Sequence, residues 1–301
     1  MQKPFIIHIE KYVNDVNYQQ SVLVTGGNSG IGLELIKVLT SFHYQIIFTV
    51  RNKDKGESTI KILQDIDKNV KAKYYLLDLS KKASIKNFVD QLNNDKVDIN
   101  HVYHNAGIFR IPHQYNEEGI ELTMATNYIG TYYLNELLIK YFTTYNHDVH
   151  INFITSLTSY YYRLDQSNLF PKKDVGKMRI YARSKTCLTQ LYYYYVSDIK
   201  NPKIRYTISH PGATYTPIII KGYKNKIIRP LARIFMKIAF HSPKKATLTY
   251  LYSLNNNVPN GYYISPRGLY ELSGYPKIKK IKKKLIKNYQ ETIKQSEQYI
   301  K

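Results

Sequence analysis

A shortage of cysteine is the first informative feature of this sequence, because Cys187 is the only one among 301 residues. A single thiol cannot build a disulfide framework, and it cannot supply a cysteine-rich zinc or iron–sulfur site. The scarcity fits a reducing compartment. Apolar residues make up 43% of the chain. We therefore expect a large hydrophobic core in place of covalent cross-links.

Long hydrophobic runs are also missing. No stretch approaches the ~18–20 apolar residues that a membrane-spanning helix needs. The apolar stretch within residues 1–10 is too short for a secretory signal. These features predict a soluble, cytoplasmic protein.

Acidic residues are scarce in the last part of the chain. Residues 221–301 contain 18 Lys or Arg and only three Glu, which accounts for +15 of the net charge of +22. Such a basic region fits contact with an anionic membrane surface or partner. It also fits codon bias, because Tyr, Lys, Ile and Asn are all abundant and Trp is absent. No nucleic-acid recognition motif is present, so we expect no specific nucleic-acid partner.

Short apolar runs alternate with segments of helical periodicity between residues 21 and 209. Predicted strands occupy 21–25, 45–50, 73–77, 97–104, 150–155 and 203–209. Predicted helices occupy 33–42, 59–66, 84–92, 117–141 and 181–198. This alternation predicts an α/β fold, with a Rossmann-type doubly wound parallel sheet and helices on both of its faces.

The pattern also predicts the organisation of the chain. Residues 1–20 form an N-terminal extension, 21–275 a single dinucleotide-binding catalytic domain, and 276–301 a lysine-rich C-terminal helix. Residues 217–241 interrupt the alternation, because they are apolar and basic with no acidic residue. We expect this segment to cover the substrate as a lid and to touch an anionic membrane surface. A lid that packs on the protein with solvated lysines fits the same pattern. Residues 261–264 are predicted to form an edge strand.

A glycine-rich turn joins the first predicted strand to the first predicted helix. Backbone N–H groups at a helix N-terminus can hold a pyrophosphate, and glycine lets the backbone approach it closely. The candidate residues in this turn are Gly26, Asn28, Ser29, Gly30, Ile31 and Gly32. Taken alone, the turn also fits a tight connection that binds no ligand.

Further motifs follow in order, each near the carboxyl end of a predicted strand. They are Asn105-Ala106-Gly107, then Ser156, then Tyr181-Ala-Arg-Ser-Lys185, then Pro211-Gly212-Ala-Thr214-Tyr-Thr216. Together with the glycine turn, this ordered set resembles the short-chain dehydrogenase/reductase family. Residues 118–130, 242–252 and 261–265 resemble its retinol-dehydrogenase and WW-domain oxidoreductase-like branch. One departure is Asn127-Tyr-Ile-Gly-Thr131, where that branch usually has Asn-His-xx-Gly-His.

The resemblance implies an enzyme that interconverts an alcohol and a carbonyl by hydride transfer, with Tyr181 as general acid and base. Lys185 lies one helical turn from Tyr181, so its ammonium would favour the phenolate and lower the tyrosine pKa. Ser156 would donate a hydrogen bond to the substrate oxygen as charge develops there. The resemblance also implies that Asn127 completes a proton relay.

The remaining cofactor contacts are implied in the same way. Asp78 and Leu79 resemble the pair that flanks the adenine, although Asp78 would also suit a helix N-cap. Asn105, Ala106 and Gly107 would lie along the cofactor. Pro211, Gly212, Thr214 and Thr216 resemble the segment under the nicotinamide.

Cofactor choice is predicted from the end of the second strand. Arg51 stands there without a neighbouring carboxylate, and an arginine can pair with the 2′-phosphate of NADP(H). We therefore favour NADP(H) over NAD(H). No metal site is expected, because His101 and His104 point to opposite faces of a strand.

The abundance of Ile, Leu and Phe in 217–241 predicts an apolar substrate, such as a retinoid, steroid or lipid aldehyde. A homodimer formed through 117–141 and 181–198 is implied by the resemblance. The alternative function is a non-catalytic dinucleotide-binding sensor or scaffold protein.

Overall fold

A computed structural model describes residues 20–198, 201–214, 241–254 and 257–301. Thr216 and nearly all of the predicted extension and lid (1–19 and 217–240) lie outside the described residues. Within the described part, no helix is both long and apolar enough to cross a bilayer.

Eight strands form one sheet in the order β3-β2-β1-β4-β5-β6-β7-β8. The strands are β1 Ser21–Val24, β2 Gln45–Val50, β3 Ala72–Leu76, β4 His101–His104, β5 Val149–Ile154, β6 Ile204–Ser209, β7 Tyr262–Pro266 and β8 Pro276–Lys280. The first seven pair in parallel, and β8 pairs antiparallel to β7. Every residue of β1, β4 and β5 is buried. Burial on both faces explains the apolar run of β1, whereas β4 and β5 also bury polar side chains such as His104 and Asn152.

Helices cover both faces of this sheet. They are α1 Gly30–Ser41, α2 Lys53–Gln64, α3 Lys82–Asp95, α4 Gly130–Thr144, α5 Lys177–Ser197, α6 Pro243–Tyr252, α7 Lys283–Ile286 and α8 Tyr289–Glu297. One hydrophobic core contains the buried faces of α3, α4 and α5, and a second contains those of α1 and α6. The prediction of a doubly wound α/β fold is confirmed.

Strand order reverses between β1 and β4, which are neighbours although β2 and β3 lie between them in sequence. In sheets of this kind, a crevice opens at the carboxyl ends of the strands where the order reverses. The residues directly after β1 and β4 therefore share one edge of the sheet.

The predicted helix 117–141 is wrong at its start. Asn116 holds a turn there, because its side-chain oxygen accepts hydrogen bonds from the N–H groups of Glu118 and Ile120. Helical structure begins with Leu122–Met124, capped by Glu121, and passes through a π-helical turn at Ala125–Ile129 into α4. Side-chain bonds to nearby backbone thus compete successfully with the helix.

The predicted C-terminal helix 276–301 is also wrong over its first part. Residues 276–280 form β8, which pairs with β7 and places Ile278 opposite Ile264. The strand predicted at 261–264 is therefore an inner strand, and the sheet continues beyond residue 275. Helical structure follows only in the short α7 and α8.

The C-terminal helices pack against α5 and against the π-helical turn at Ala125–Ile129. The Gln190 side chain donates to the carbonyl oxygen of Leu285 at 2.9 Å, and the hydroxyls of Tyr128 and Ser296 are 2.8 Å apart. Residues 182–192 of α5 are all buried within the chain. The homodimer stays a prediction.

Candidate active site

The glycine turn after β1 is held in the conformation that its glycines allow. Gly26 and Gly30 have φ of 68° and 59°, in the left-handed region that favours glycine. A Cβ on Gly32 would lie 2.4 Å from the side-chain nitrogen of Asn105. Side chains at these positions would therefore displace the turn.

The first turn of α1 is open to an anion. Ser29 is the N-cap residue, but its side chain makes no capping hydrogen bond, and the first turn contains no acidic residue. Its N–H groups and the positive end of the helix dipole therefore suit a phosphate. This geometry fits the pyrophosphate of a dinucleotide.

The Asn105-Ala106-Gly107 motif braces the turn from β4. Asn105 donates from its amide to the carbonyl oxygen of Thr25 at 2.9 Å, and the Ala106 N–H donates to the Thr25 hydroxyl at 3.0 Å. Two motifs about 80 residues apart thus form one wall.

This wall borders a cavity of about 600 Å³ at the carboxyl edge of the sheet. Most of the predicted site residues line it. They are Gly26, Ser29, Gly30, Ile31, Gly32, Arg51, Asp78, Leu79, Asn105, Ala106, Gly107, Ser156, Tyr181, Lys185, Pro211, Gly212 and Thr214. Asn28 and Asn127 are not among the lining residues, and Thr216 lies outside the described residues.

Arg51 and Asp78 stand at one end of the cavity. Arg51 is exposed and forms no ion pair within the described ranges. Asn52 caps α2 by accepting from the Lys55 N–H. Asp78 accepts hydrogen bonds from the N–H and hydroxyl of Ser80, so its carboxylate shapes its own turn. Arg51 is the cation best placed for a phosphate at this end.

Lys185 projects from α5 into the interior and is only 4% exposed. Its ammonium donates to the carbonyl oxygen of Ile154, the last residue of β5, at 2.8 Å. Burial lowers the pKa of Lys185 to about 8. The lysine therefore remains mostly charged at neutral pH, close to its point of titration.

Tyr181 lies one turn before Lys185 and packs against Phe109, with 4.6 Å between ring centroids. Burial raises the pKa of Tyr181, and a hydrogen bond with Ser156 opposes that rise. Ser156 follows β5 and caps the turn Leu157–Tyr160 by accepting from the Thr158 N–H. The serine and tyrosine hydroxyls are thus brought together at the cavity.

Asn127 lies in the π-helical turn, a distortion that is frequent at functional sites. Its side chain accepts from the Ile108 N–H at 2.7 Å and donates to the Ile108 carbonyl at 3.0 Å and the Ser184 hydroxyl at 3.2 Å. A Cβ on Gly107 would lie 3.1 Å from Asn127 Oδ1 and 3.7 Å from Lys185 Nζ. Asn127 therefore stands beside Lys185, behind the cavity wall.

Several residues of the site were not predicted from the sequence. Apolar side chains line the cavity around Tyr181, and the Ser184 hydroxyl links Asn127 to the carbonyl of Tyr181. The apolar lining residues that were missed are Val50, Leu77, Ile108, Phe109, Ile154, Leu157, Met178, Ala213 and Tyr250. Ile108, Phe109 and Leu157 directly follow predicted motifs, and that adjacency is the signal that could have found them.

A family model described as short chain dehydrogenase matches residues 20–226, which is more than half of the chain. The match includes the glycine turn and the tyrosine and lysine of α5. The chain belongs to the short-chain dehydrogenase family. This places the protein among oxidoreductases and confirms the family resemblance of the motifs.

Three relatives place it further. Polyprenol dehydrogenase of Danio rerio is 25% identical over 238 residues, covering 77% of this chain and 72% of the relative. WW domain-containing oxidoreductase of Drosophila melanogaster is 25% identical over 249 residues, which cover 78% of this chain and 60% of that relative. Retinol dehydrogenase 11 of Mus musculus is 24% identical over 230 residues, which cover 76% of this chain and 71% of that relative. The predicted resemblance to the retinol-dehydrogenase and WW-domain oxidoreductase branch is confirmed.

Solved structures agree on the fold. An uncharacterised protein from Mycobacterium paratuberculosis has a TM-score of 0.70 at 20% identity, covering 94% of this chain and 93% of that chain. A short-chain dehydrogenase from Sphingobium yanoikuyae in complex with NADPH has a TM-score of 0.60 at 19% identity, and the match covers 77% of this chain and 82% of that chain. The family fold thus accommodates a nicotinamide dinucleotide in that neighbour.

Proposed function

We propose that this short-chain dehydrogenase interconverts an apolar alcohol and its carbonyl compound with NADP(H). The observation that carries the proposal is the meeting of Tyr181, Ser156 and Lys185 with the glycine turn at one cavity. A hydroxyl pair, a buried ammonium and an anion-binding helix end together suit hydride transfer coupled to proton transfer.

In this proposal the protein supplies the proton donor and the groups that stabilise the developing negative charge. A bound reduced nicotinamide supplies the hydride that reaches the carbonyl carbon. Tyr181 donates its phenolic proton to the carbonyl oxygen, while the Ser156 hydroxyl donates a hydrogen bond to the same oxygen. The Lys185 ammonium stabilises the phenolate that remains. Alcohol oxidation runs these proton steps in reverse, with the phenolate as base.

The cofactor proposal rests on Arg51 and the glycine turn. The turn and α1 would hold the pyrophosphate, and Asp78 and Leu79 would flank the adenine. Arg51 would pair with the 2′-phosphate, since it is exposed at the cavity and has no ion-pair partner among the described residues. A planar guanidinium suits such a phosphate well.

Replacing Arg51 with aspartate should reduce the preference for NADPH over NADH by at least about tenfold. The change exchanges a charge-assisted hydrogen bond of roughly 1.5–3 kcal/mol for a repulsion. Dissociation constants and kcat/KM for both cofactors measure the effect. Arg163→Asp, an equal charge change at an exposed residue outside the cavity lining, serves as the control. A wild type that already prefers NADH would refute the assignment.

The apolar character of the substrate is supported by the lining near Tyr181. Phe109, Leu157 and Met178 lie on the cavity there, and Met178 is 47% exposed at its rim. An apolar substrate could cover this rim, and the burial of apolar surface would contribute free energy to its binding. Retinoids, steroids and lipid aldehydes all offer an extended apolar surface, a chain or fused rings, near the carbonyl or hydroxyl group.

The test is a screen of NADPH oxidation against aldehydes and ketones of increasing chain length. We expect kcat/KM to rise with apolar length, because each buried methylene contributes about 0.8 kcal/mol. NADPH binding without turnover of any carbonyl or alcohol would favour the sensor or scaffold function instead.

We further propose that the protein is cytoplasmic and makes peripheral contact with anionic membranes through its C-terminal lysines. Seven lysines fall within 277–287 without an acidic residue. Tyr161 and Tyr270 are 73% and 69% exposed. Exposed tyrosines beside lysines are typical of surfaces that meet a bilayer.

Vesicle sedimentation tests this contact. Lys280, Lys283 and Lys284 are exposed, so changing all three to Gln should weaken binding to anionic vesicles by up to roughly 100-fold, at ~1 kcal/mol per lysine. Changing Lys61, Lys68 and Lys71 to Gln is the matched control on another part of the surface. Equal binding by both triple variants, or equal binding to neutral vesicles, would refute the proposal.

A further inference from the structure

His210 directly follows β6 and is completely buried. Its Nδ1 accepts a hydrogen bond from the Gly212 N–H at 3.1 Å, and its Nε2 lies 3.0 Å from the carboxylate of Glu271. Because Nδ1 is an acceptor, a neutral ring carries its single proton on Nε2 and donates it to Glu271. One imidazole therefore links the Pro211-Gly212 loop to a residue 61 positions further on.

Glu271 is the centre of a buried polar cluster. Its carboxylate also accepts hydrogen bonds from the Tyr263 hydroxyl at 2.9 Å and from the Lys279 ammonium. Burial raises the pKa of Glu271, but the bonds from His210, Lys279 and Tyr263 outweigh it and lower the pKa to about 2. Burial lowers the pKa of His210, against the influence of Glu271. At neutral pH the pair is therefore a carboxylate and a neutral imidazole.

A second contact holds the loop against the same segment. The Ala213 N–H donates to the carbonyl oxygen of Leu272 at 2.8 Å. Gly212 has φ of 76°, and a Cβ on it would lie 2.5 Å from that oxygen. The loop is thus pressed closely against the segment that carries Glu271.

The front of this loop belongs to the catalytic cavity. Pro211, Gly212 and Thr214 line it together with Tyr181, whereas His210 and Glu271 are not among the lining residues. We propose that His210 and Glu271 are positioning residues, which hold this loop where the nicotinamide half of the cofactor must rest. The proposal depends on the reductase function proposed above, and it assigns no contact between these two residues and substrate or cofactor.

Two substitutions break the link in different ways. In His210→Asn, the shorter side chain can still accept from the Gly212 N–H as an Asx turn, but it cannot reach Glu271. Glu271→Gln keeps the shape of the side chain and removes its charge. If the loop shifts, the hydride donor is misplaced, and a misplacement of 1 Å can cost on the order of 100-fold in rate.

The expected effects differ between the nicotinamide half and the adenosine half of the cofactor. Both variants should lower kcat about 10- to 100-fold and raise the deuterium isotope effect measured with 4-deuterated NADPH. Their dissociation constants for adenosine 2′,5′-bisphosphate, which has no nicotinamide, should stay within about twofold of wild type. Glu291→Gln, the same change at an exposed glutamate, is the matched control and should leave every value unchanged.

The outcomes are distinct. Wild-type kcat and isotope effect in both variants would overturn the positioning role while leaving the proposed function intact. Equal loss of NADPH and adenosine 2′,5′-bisphosphate binding would also overturn it, because it would indicate general damage to the fold. If Glu271→Gln does not fold, His210→Asn decides alone. A wild type that binds NADPH but reduces no carbonyl would contradict the proposed function. In that case, variants that lose affinity for NADPH but keep their affinity for adenosine 2′,5′-bisphosphate would still support the positioning role.

Discussion

Replacing Tyr181 with phenylalanine should lower turnover by about 10²–10⁴-fold while NADPH still binds. The substitution removes only the hydroxyl, so the ring can keep its contact with Phe109 at 4.6 Å between centroids. Without that hydroxyl the substrate oxygen loses the proton donor assigned to it, and the Lys185 ammonium stays one helical turn away, where it donates to the Ile154 carbonyl. The loss should therefore appear in kcat and leave the dissociation constant of NADPH nearly unchanged.

Stopped-flow or steady-state NADPH oxidation, beside a fluorescence titration of NADPH, measures both quantities. Tyr161→Phe is the control, because that tyrosine is 73% exposed and does not line the cavity. Turnover near the wild-type level in Tyr181→Phe would refute the role given to this residue.

The sheet and the cavity could be predicted because their signals are local. A glycine turn after an apolar strand specifies both a tight connection and an open helix end. Motifs at the carboxyl ends of parallel strands must meet, since those ends share one edge of the sheet. For this reason residues as distant as Gly26, Asn105 and Tyr181 could be placed around one site from sequence.

The C-terminal region could not be predicted in the same way. Ile278, Ile281 and Leu285 have spacing that suits a helix face, yet Ile278 belongs to a strand. That strand forms because the backbone of β7 offers partners, and such pairing depends on the whole sheet. Edge strands rich in lysine are common, but the lysines alone do not identify one.

Side-chain networks were equally hidden from sequence. Asn127 bonds to the backbone of Ile108, and His210 bonds to Glu271, 61 residues away. Ile108 directly follows a motif, but nothing in the sequence pairs it with Asn127, and Glu271 lies in no motif, so spacing could not indicate either bond. Such bonds satisfy buried polar groups, and their partners are known only once the chain is folded.

Replacing Lys185 with methionine should lower kcat at pH 7 by about 100-fold or more while it makes the fold more stable. The lysine is 4% exposed, and burial lowers its pKa to about 8, against about 10.4 in an unfolded chain. The folded protein therefore binds fewer protons than the unfolded chain between these values. Burial of the charged lysine therefore lowers the free energy of unfolding by its full amount below pH 8, and this loss of stability disappears as the pH rises toward about 10.4.

That cost is on the order of 3 kcal/mol. Methionine, with a side chain of similar length, avoids it but leaves the Ile154 carbonyl without this donor, so the net gain in stability is smaller. A variant that unfolds at higher temperature at pH 7 but turns over slowly cannot owe its loss of activity to misfolding. Burial already raises the pKa of Tyr181, and we expect loss of the ammonium to raise it further, so that alcohol oxidation needs a more alkaline medium than in the wild type. Thermal unfolding and the pH profile of NADP⁺ reduction test the two effects. Lys177→Met, the same change at the partly exposed start of α5, should alter neither. An unchanged pH profile in Lys185→Met would remove this lysine from the proton chemistry.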